Sequence, residues 1–208
     1  ELNSVITGSD ASVSLARIGY EMQLSKDMKN YSYYGRGPWN NYNDRCTGSF
    51  IEQYQSSVKD QFVKWPKPQD MANREEVRWA TLTNDEGNGV IFVSTEGMST
   101  SALEWNSVEL TETAHPYQLP ASSATWFNLD KKVNGLGGNS CGQGGPLEPD
   151  VVKSGENSVG FIMRPIVKGD CPVQKSNVLC SGDGPILLAR DMRGQVSMKC
   201  AKEGAQII

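Results

Sequence analysis

Breakers limit every segment of this chain. Twenty-one glycines and ten prolines in 208 residues interrupt it every few positions. The apolar stretches between them are short and rich in Val, Ile, Phe, Trp and Thr. Gly and Pro are poorly tolerated inside helices, whereas β-branched and aromatic side chains suit a pleated surface, so the pattern predicts an all-β fold. Between Val13 and Leu24 the alternation changes phase, Val13 and Leu15 against Ile18, Tyr20, Met22 and Leu24, which predicts a bulge or break near Ala16 and Arg17. Further strands are predicted at Cys46–Tyr54, Val77–Thr83, Gly89–Thr95, Ser123–Asp130 and Ser158–Arg164, with short ones at Pro185–Arg190 and Gln195–Cys200. The run Val90–Val93 reads as buried on both faces. TNDEGNG (Thr83–Gly89) reads as a hairpin turn, Gly87 and Gly89 being free to take positive φ. One helix is predicted, near Ser107–Thr113 with Asn106 or Ser107 as its cap, and Lys168–Gly184 reads as loop.

The densest stretch is Tyr33–Arg45, YYGRGPWNNYNDR. Its Gly, Pro, Asn and Asp residues exclude a helix, so it is expected to be a folded loop. It nevertheless carries Tyr33, Tyr34, Trp39 and Tyr42 together with Arg36 and Arg45. Aromatic faces and fixed polar groups on a rigid loop suit sugar binding or the packing of one domain on another; a structural loop that buries its own aromatics is the alternative. The glycine-rich run Asn134–Pro146, in which six of thirteen residues are Gly, permits sharp turns and close approach.

A net charge of −4 with 21% charged residues offers no basic surface, so neither nucleic acid nor an anionic membrane is an expected partner. Apolar runs such as Val90–Val93 fall far short of the roughly 20 residues of a membrane span. The first residues, ELNSVITGSDASVS, lack the basic start and apolar core of a signal peptide. If the chain is a piece of a longer protein, that says nothing about export.

Four blocks carry a resemblance: Gly35, Gly37, Pro38, Asn40, Asn41, Tyr42, Asp44 and Arg45 in the first, then KPQDMANREEVRW (Lys67–Trp79), AHPYQLP (Ala114–Pro120) and WFNLDKKVNGLGGNSCG (Trp126–Gly142). In this order they resemble the last large domain of bacterial β-galactosidases of glycoside hydrolase family 2, over about two thirds of the chain, Arg17–Pro149. Asn40 stands where that family usually has Glu. The resemblance implies a supersandwich of the galactose-mutarotase-like kind, lacking its first strands and so leaving an edge open to pairing. The expected organisation is residues 1–164 as the supersandwich, and 165–208 as a linker and the start of a further β-sandwich module, since VSMKCAKEGAQII is similar to the first strands of a chitobiase-type C-terminal domain.

Retaining glycosidases place two carboxylates about 5 Å apart, and the resemblance puts them on a barrel upstream of this domain. The expected function is therefore a non-catalytic C-terminal part of a β-galactosidase, scaffold and active-site rim of an enzyme that cleaves terminal β-D-galactosides; an autonomous carbohydrate-binding module is the alternative. Glu75, Glu76, Asp85 and Glu86 read as solvated turn or strand-end residues. An aldose epimerase of the same fold needs catalytic His and Glu, and the one histidine, His115 before Pro116, reads as structural. The expected sugar-facing edge comprises Arg36, Trp39, Arg74, Asn139 and Cys141. Arginines there could equally pair inside the domain with Asp44 or Glu75, a role favoured for Arg45 and Arg78. In relatives a tryptophan that stacks on sugar follows the glycine loop; here the matching place falls close to Cys141. Trp65, Trp79, Trp105 and Trp126 are expected to pack in the core.

No cofactor is expected, and no metal, because one His and five scattered Cys show no ligand spacing. The expected partners are a β-galactoside, the other domains of the parent chain and a second copy of it. The cysteine count is odd. A Cys171–Cys180 disulfide is sterically allowed and would suit a periplasmic or secreted protein, reduced Cys46 and Cys200 buried on strands are the plainer reading, and a cytoplasmic location stays open.

Overall fold

The computed structural model describes residues 1–10, 12–137, 144–178, 187–190 and 196–199. Its strands are β1 (Leu2–Thr7), β2 (Ser14–Leu15), β3 (Arg17–Ser25), β4 (Asn30–Gly37), β5 (Phe50–Ser57), β6 (Arg74–Thr83), β7 (Gly89–Leu103), β8 (Ala124–Val133), β9 (Val152–Lys153), β10 (Glu156–Ile166), β11 (Leu187–Arg190) and β12 (Val196–Lys199). Two short helices are α1 (Ser107–Glu112) and α2 (Pro172–Ser176). The chain is all-β, as its breaker pattern predicts.

One antiparallel sheet runs β1-β10-β7-β6-β4-β5, and β8 joins it through β7 and carries β3. The branch lies in β7. Its first half, Gly89–Val93, pairs with Ile166–Ile162 of β10, whereas Ser99–Leu103 pairs with Asp130–Trp126 of β8. Between the halves Gly97 takes φ 84, and on β6 the register shifts around Glu76, itself at φ 53. The strand turns there, and the sheet curls.

Alternation along β4 places Tyr31 and Tyr33 inward and Ser32, Tyr34 and Arg36 outward. The inward tyrosines stack at 5.0 Å, and Phe92 meets Phe127 at 4.6 Å in the same core. Each such ring contributes about 2 kcal/mol by leaving water, and Tyr31 keeps its hydroxyl satisfied 2.6 Å from Thr100 Oγ1. The VIFV run is indeed buried on both faces: Val90 and Phe92 join this core, while Ile91 and Val93 join Trp79, Ile162 and Ile166 on the opposite face. There α2 packs against β7, and Arg164 donates to the Lys175 carbonyl at 2.7 Å.

The phase change near Ala16 is the gap between β2 and β3, followed by a register shift between Ile18 and Gly19. The turn after β6 is closed by Asn84 N to Asn88 O at 2.9 Å, with Gly87 at φ 81. Asn106 caps α1 in a reciprocal capping box with Glu109. Three expected elements change. Tyr33–Gly37 is strand, β5 begins only at Phe50 because Tyr42–Ser49 is a turn sequence, and α2 interrupts the predicted loop. Of the tryptophans, Trp79 is buried, but Trp65 is exposed and Trp105 packs edge-on to Phe62 in a smaller cluster. Cys46 is half-buried in a turn and Cys171 exposed; Cys180 and Cys200 lie outside the described residues.

Candidate functional site

The loop from Pro38 to Ser49 leaves β4 through a cis Gly37–Pro38 peptide. Gly37 is needed for close packing: a Cβ there would lie 2.3 Å from the Tyr33 hydroxyl and 2.8 Å from the Tyr54 ring. The loop is then held from beneath by Asn41, which is fully buried. Its Nδ2 donates to the carbonyls of Arg36 (3.0 Å) and Trp39 (2.9 Å), and its Oδ1 accepts from the Glu75 amide at 2.9 Å. Its backbone exchanges bonds with Asn73, N to O at 2.8 Å and O from Nδ2 at 2.9 Å. One side chain thus ties the loop to itself and to the start of β6.

The next residue repeats the device with charge. Tyr42 is fully buried and donates its hydroxyl to Asp70 Oδ2 at 2.6 Å; burial and that carboxylate push its pKa up. Asp70 pairs with Arg17 at 3.4 Å, and Arg17 with Asp130 at 3.1 Å. Asp130 is buried, which pushes its pKa up to about 7 against the pull of Arg17. Within this group Arg17 Nη2 and Asp130 Oδ2 face each other, and the buried Arg17 Nε lacks a hydrogen-bond partner. Further on, Asp44 Oδ2 accepts from the Gly137 amide at 2.8 Å and Asn43 Nδ2 donates to the Asp150 carbonyl at 3.0 Å, so the entry to the glycine run is pinned against this loop.

Held in this way, the loop presents Trp39 at 75% exposure. Arg36, three residues earlier near the end of β4, donates to Glu76 Oε1 at 2.5 Å and to the Ser49 carbonyl at 2.9 Å. Arg74 sits below at 5% exposure, with Nε on the Tyr33 hydroxyl (2.8 Å), Nη1 on the Asn73 carbonyl (3.0 Å) and Nη2 on Gln61 Oε1 (2.7 Å). The segments bearing Arg36, Trp39 and Arg74 are therefore brought together through Asn41 and Asn73, while Asn139 and Cys141 lie outside the described residues. Arg78 pairs internally as expected, but with Glu76, and lies over the Tyr34 ring. Glu75, expected in solvent, turns inward to Asn73 (2.6 Å) and Ser99 (2.9 Å), and burial raises its pKa. Ala72, buried at φ 67, is a further strained position beside the site. His115 caps a short turn and stacks on the exposed Tyr117. No cluster of three metal-ligating side chains occurs among the described residues.

Residues 2–163 match the family described as "Beta galactosidase small chain". The chain belongs to that family. The match begins before the four blocks and takes in β1 and nearly all of β10. Among curated relatives, the β-galactosidase of Priestia megaterium (strain DSM 319 / IMG 1521) is 32% identical over 143 residues, 69% of this chain and 14% of that protein. That of Streptococcus thermophilus is 28% identical over 151 residues, 71% of this chain and 15% of that protein. The β-galactosidase of Lactobacillus delbrueckii subsp. bulgaricus is 31% identical over 132 residues, 64% of this chain and 13% of that protein. The chain thus spans a small part of the length of the β-galactosidases it matches.

Asn41 and Tyr42 stood inside the first block and Arg17 at the start of the resemblance. Nothing local told that they are buried anchors, because their partners Asn73, Asp70 and Asp130 lie far along the chain.

Proposed function

We propose that this chain is a non-catalytic part of a β-galactosidase, supplying scaffold and a rim of the active site to an enzyme that hydrolyses terminal β-D-galactosides. The observation that carries the reading is Trp39. A large aromatic face stands in solvent on a loop whose base is immobilised by the buried Asn41 and Tyr42, an arrangement suited to stacking on a sugar ring without an ordering cost. Arg36 lies three residues before it near the end of β4, Arg74 bonds Tyr33 of β4 from below, and Asn139 and Cys141 follow Gly137 in the sequence. The acids of the region support a non-catalytic role: Glu75 is bonded to Ser99, Glu76 to Arg36, and Asp130 is paired with Arg17. The partners in this reading are a β-galactoside, the other domains of the parent chain and a second copy of it, with residues 1–164 as the domain and 165–208 as linker and the start of another module.

The test is Trp39→Ala in the full-length enzyme with a chromogenic β-galactoside. A fall of about tenfold in kcat/KM at unchanged thermal stability supports the rim reading. Unchanged kinetics sinks it. Turnover of the same substrate by the isolated chain would overturn the non-catalytic assignment.

A further inference from the structure

A cavity whose lining does not include Trp39 lies between the start of β3, helix α1 and the end of β8. It has a volume of about 370 Å³. The buried side chains Leu110 and Val133 form its floor, and Arg17, Asp70, Thr111 and Asn134 supply its polar wall. We propose that this cavity binds a neutral polyol of monosaccharide size, gripped by Arg17 and Asp70.

Size is the first constraint. Small-ligand pockets run from about 300 to about 1,000 Å³, so this one holds a single ring and excludes a long oligosaccharide or a folded peptide segment. Charge is the second. One guanidinium faces two carboxylates, Asp70 at 3.4 Å and Asp130 at 3.1 Å. With both ionised the local sum is one negative charge, and with Asp130 protonated it is zero; neither state leaves positive charge over for an anion. A cation meets Arg17 at the centre of the group. A neutral ligand remains.

Hydroxyl geometry is the third. Arg17 and Asp70 expose 22% and 43% of their side chains, a donor beside an acceptor. Adjacent hydroxyls on a ring meet such a pair directly, one accepting from the guanidinium and its neighbour donating to the carboxylate. Asn134 adds an amide whose oxygen is already engaged by the Val152 amide at 2.8 Å, leaving its NH₂ to donate. Thr111 gives its proton to the Ser107 carbonyl at 2.7 Å, leaving its oxygen to accept. The apolar floor takes the C–H face of the ring. Arg17 Nη2 is taken by Asp130 Oδ2 at 3.1 Å, whereas its buried Nε has no hydrogen-bond partner. Because the other oxygen of Asp70 holds Tyr42, a ligand here is one residue removed from the anchor of the Trp39 loop.

The experiment is titration of the full 208-residue chain with D-galactose and D-glucose, with D-glucuronate and D-glucosamine as charged controls, followed by amide NMR and calorimetry. Expected are saturable shifts at Thr111, Asn134 and Gly135 with the neutral sugars, and binding at least about tenfold weaker for both controls. Thr111→Trp, at an exposed position on the cavity wall, should fill the space and weaken binding about tenfold or more at unchanged stability. Arg17→Lys keeps the charge but loses the planar fork and should weaken binding similarly. Trp39→Ala should leave it intact, which separates this site from the rim. Unmoved amides with neutral sugars, full binding by Thr111→Trp, loss of binding in Trp39→Ala, or tighter binding of glucuronate would each overturn the proposal.

Discussion

Asn41 and Asn73 clasp each other across 32 positions of sequence, each giving the other a backbone oxygen to bond: Asn41 N to Asn73 O at 2.8 Å and Asn73 Nδ2 to Asn41 O at 2.9 Å. Both are fully buried, so no water can replace a lost partner. Asn41→Ala strands the Glu75 amide and the carbonyls of Arg36 and Trp39, at a cost of about 3 kcal/mol. Urea unfolding measures it. A loss below about 1 kcal/mol would show that the loop is not anchored here.

Gly37 and Tyr33 share one space. A Cβ on Gly37 would meet the Tyr33 hydroxyl at 2.3 Å, and that hydroxyl accepts from Arg74 Nε at 2.8 Å. Gly37→Ala is expected to cost about 2 kcal/mol by overpacking, and Tyr33→Phe about 1 kcal/mol through the lost hydrogen bond. Combined, the two should cost less than their sum by about 1 kcal/mol, since removing the hydroxyl makes room for the methyl. Strict additivity in a double-mutant cycle would place the clash elsewhere.

The same pair shows where sequence reading succeeds and where it stops. Features set by neighbours were legible: the turn at Gly87, the Asn106 cap, the break beside Ala16, the two-faced burial of Val90–Val93. Tyr33–Gly37 resembles loop in sequence because two glycines in five residues look like punctuation. They are strand positions kept small because Val77 and Tyr33 press against them. β7 likewise runs on to Leu103 through Ser99, Thr100 and Ser101, polar residues buried between two partner strands, which carry no apolar signal. At the site, the motif residues and the exposed Trp39 were visible. The fates of Arg36 and Arg74 were not, since both depend on groups brought near only by folding.

Those two arginines should behave oppositely to their equal standing in the sequence. Arg74 is buried with three acceptors of its own, so Arg74→Ala leaves Gln61 and the Asn73 carbonyl unsatisfied and costs about 3 kcal/mol. Arg36 bonds Glu76 in a partly exposed setting, and Arg36→Ala should cost about 1 kcal/mol or less. Thermal unfolding of the two variants side by side decides it; an equal or larger loss for Arg36 contradicts the burial argument.

Asp130 makes the fold sensitive to pH in a direction opposite to that of an ordinary salt-bridged carboxylate. Burial raises its pKa from 3.8 to about 7 although Arg17 opposes the shift. The folded chain therefore holds a proton that the unfolded chain has released, throughout the interval between those two values. In that interval unfolding releases a proton, so stability falls as pH rises from about 4 to about 7 and levels off above. Glu75, raised by burial, acts in the same direction. Exposed Asp10 and Glu96 and half-buried Asp170, lowered by hydrogen bonds from Ser12, Lys131 and Val167, act with the opposite sign, at the acid end of the range. The wild-type chain should lose about 1 kcal/mol or more between pH 5 and pH 8. Asp130→Asn cannot titrate, while Arg17 keeps Asp70 as its partner, so the variant should lose distinctly less over the same range. Urea unfolding of both proteins at the two pH values gives the comparison. Equal slopes would mean that Asp130 is ionised in the folded chain at pH 5, and that Arg17 outweighs its burial.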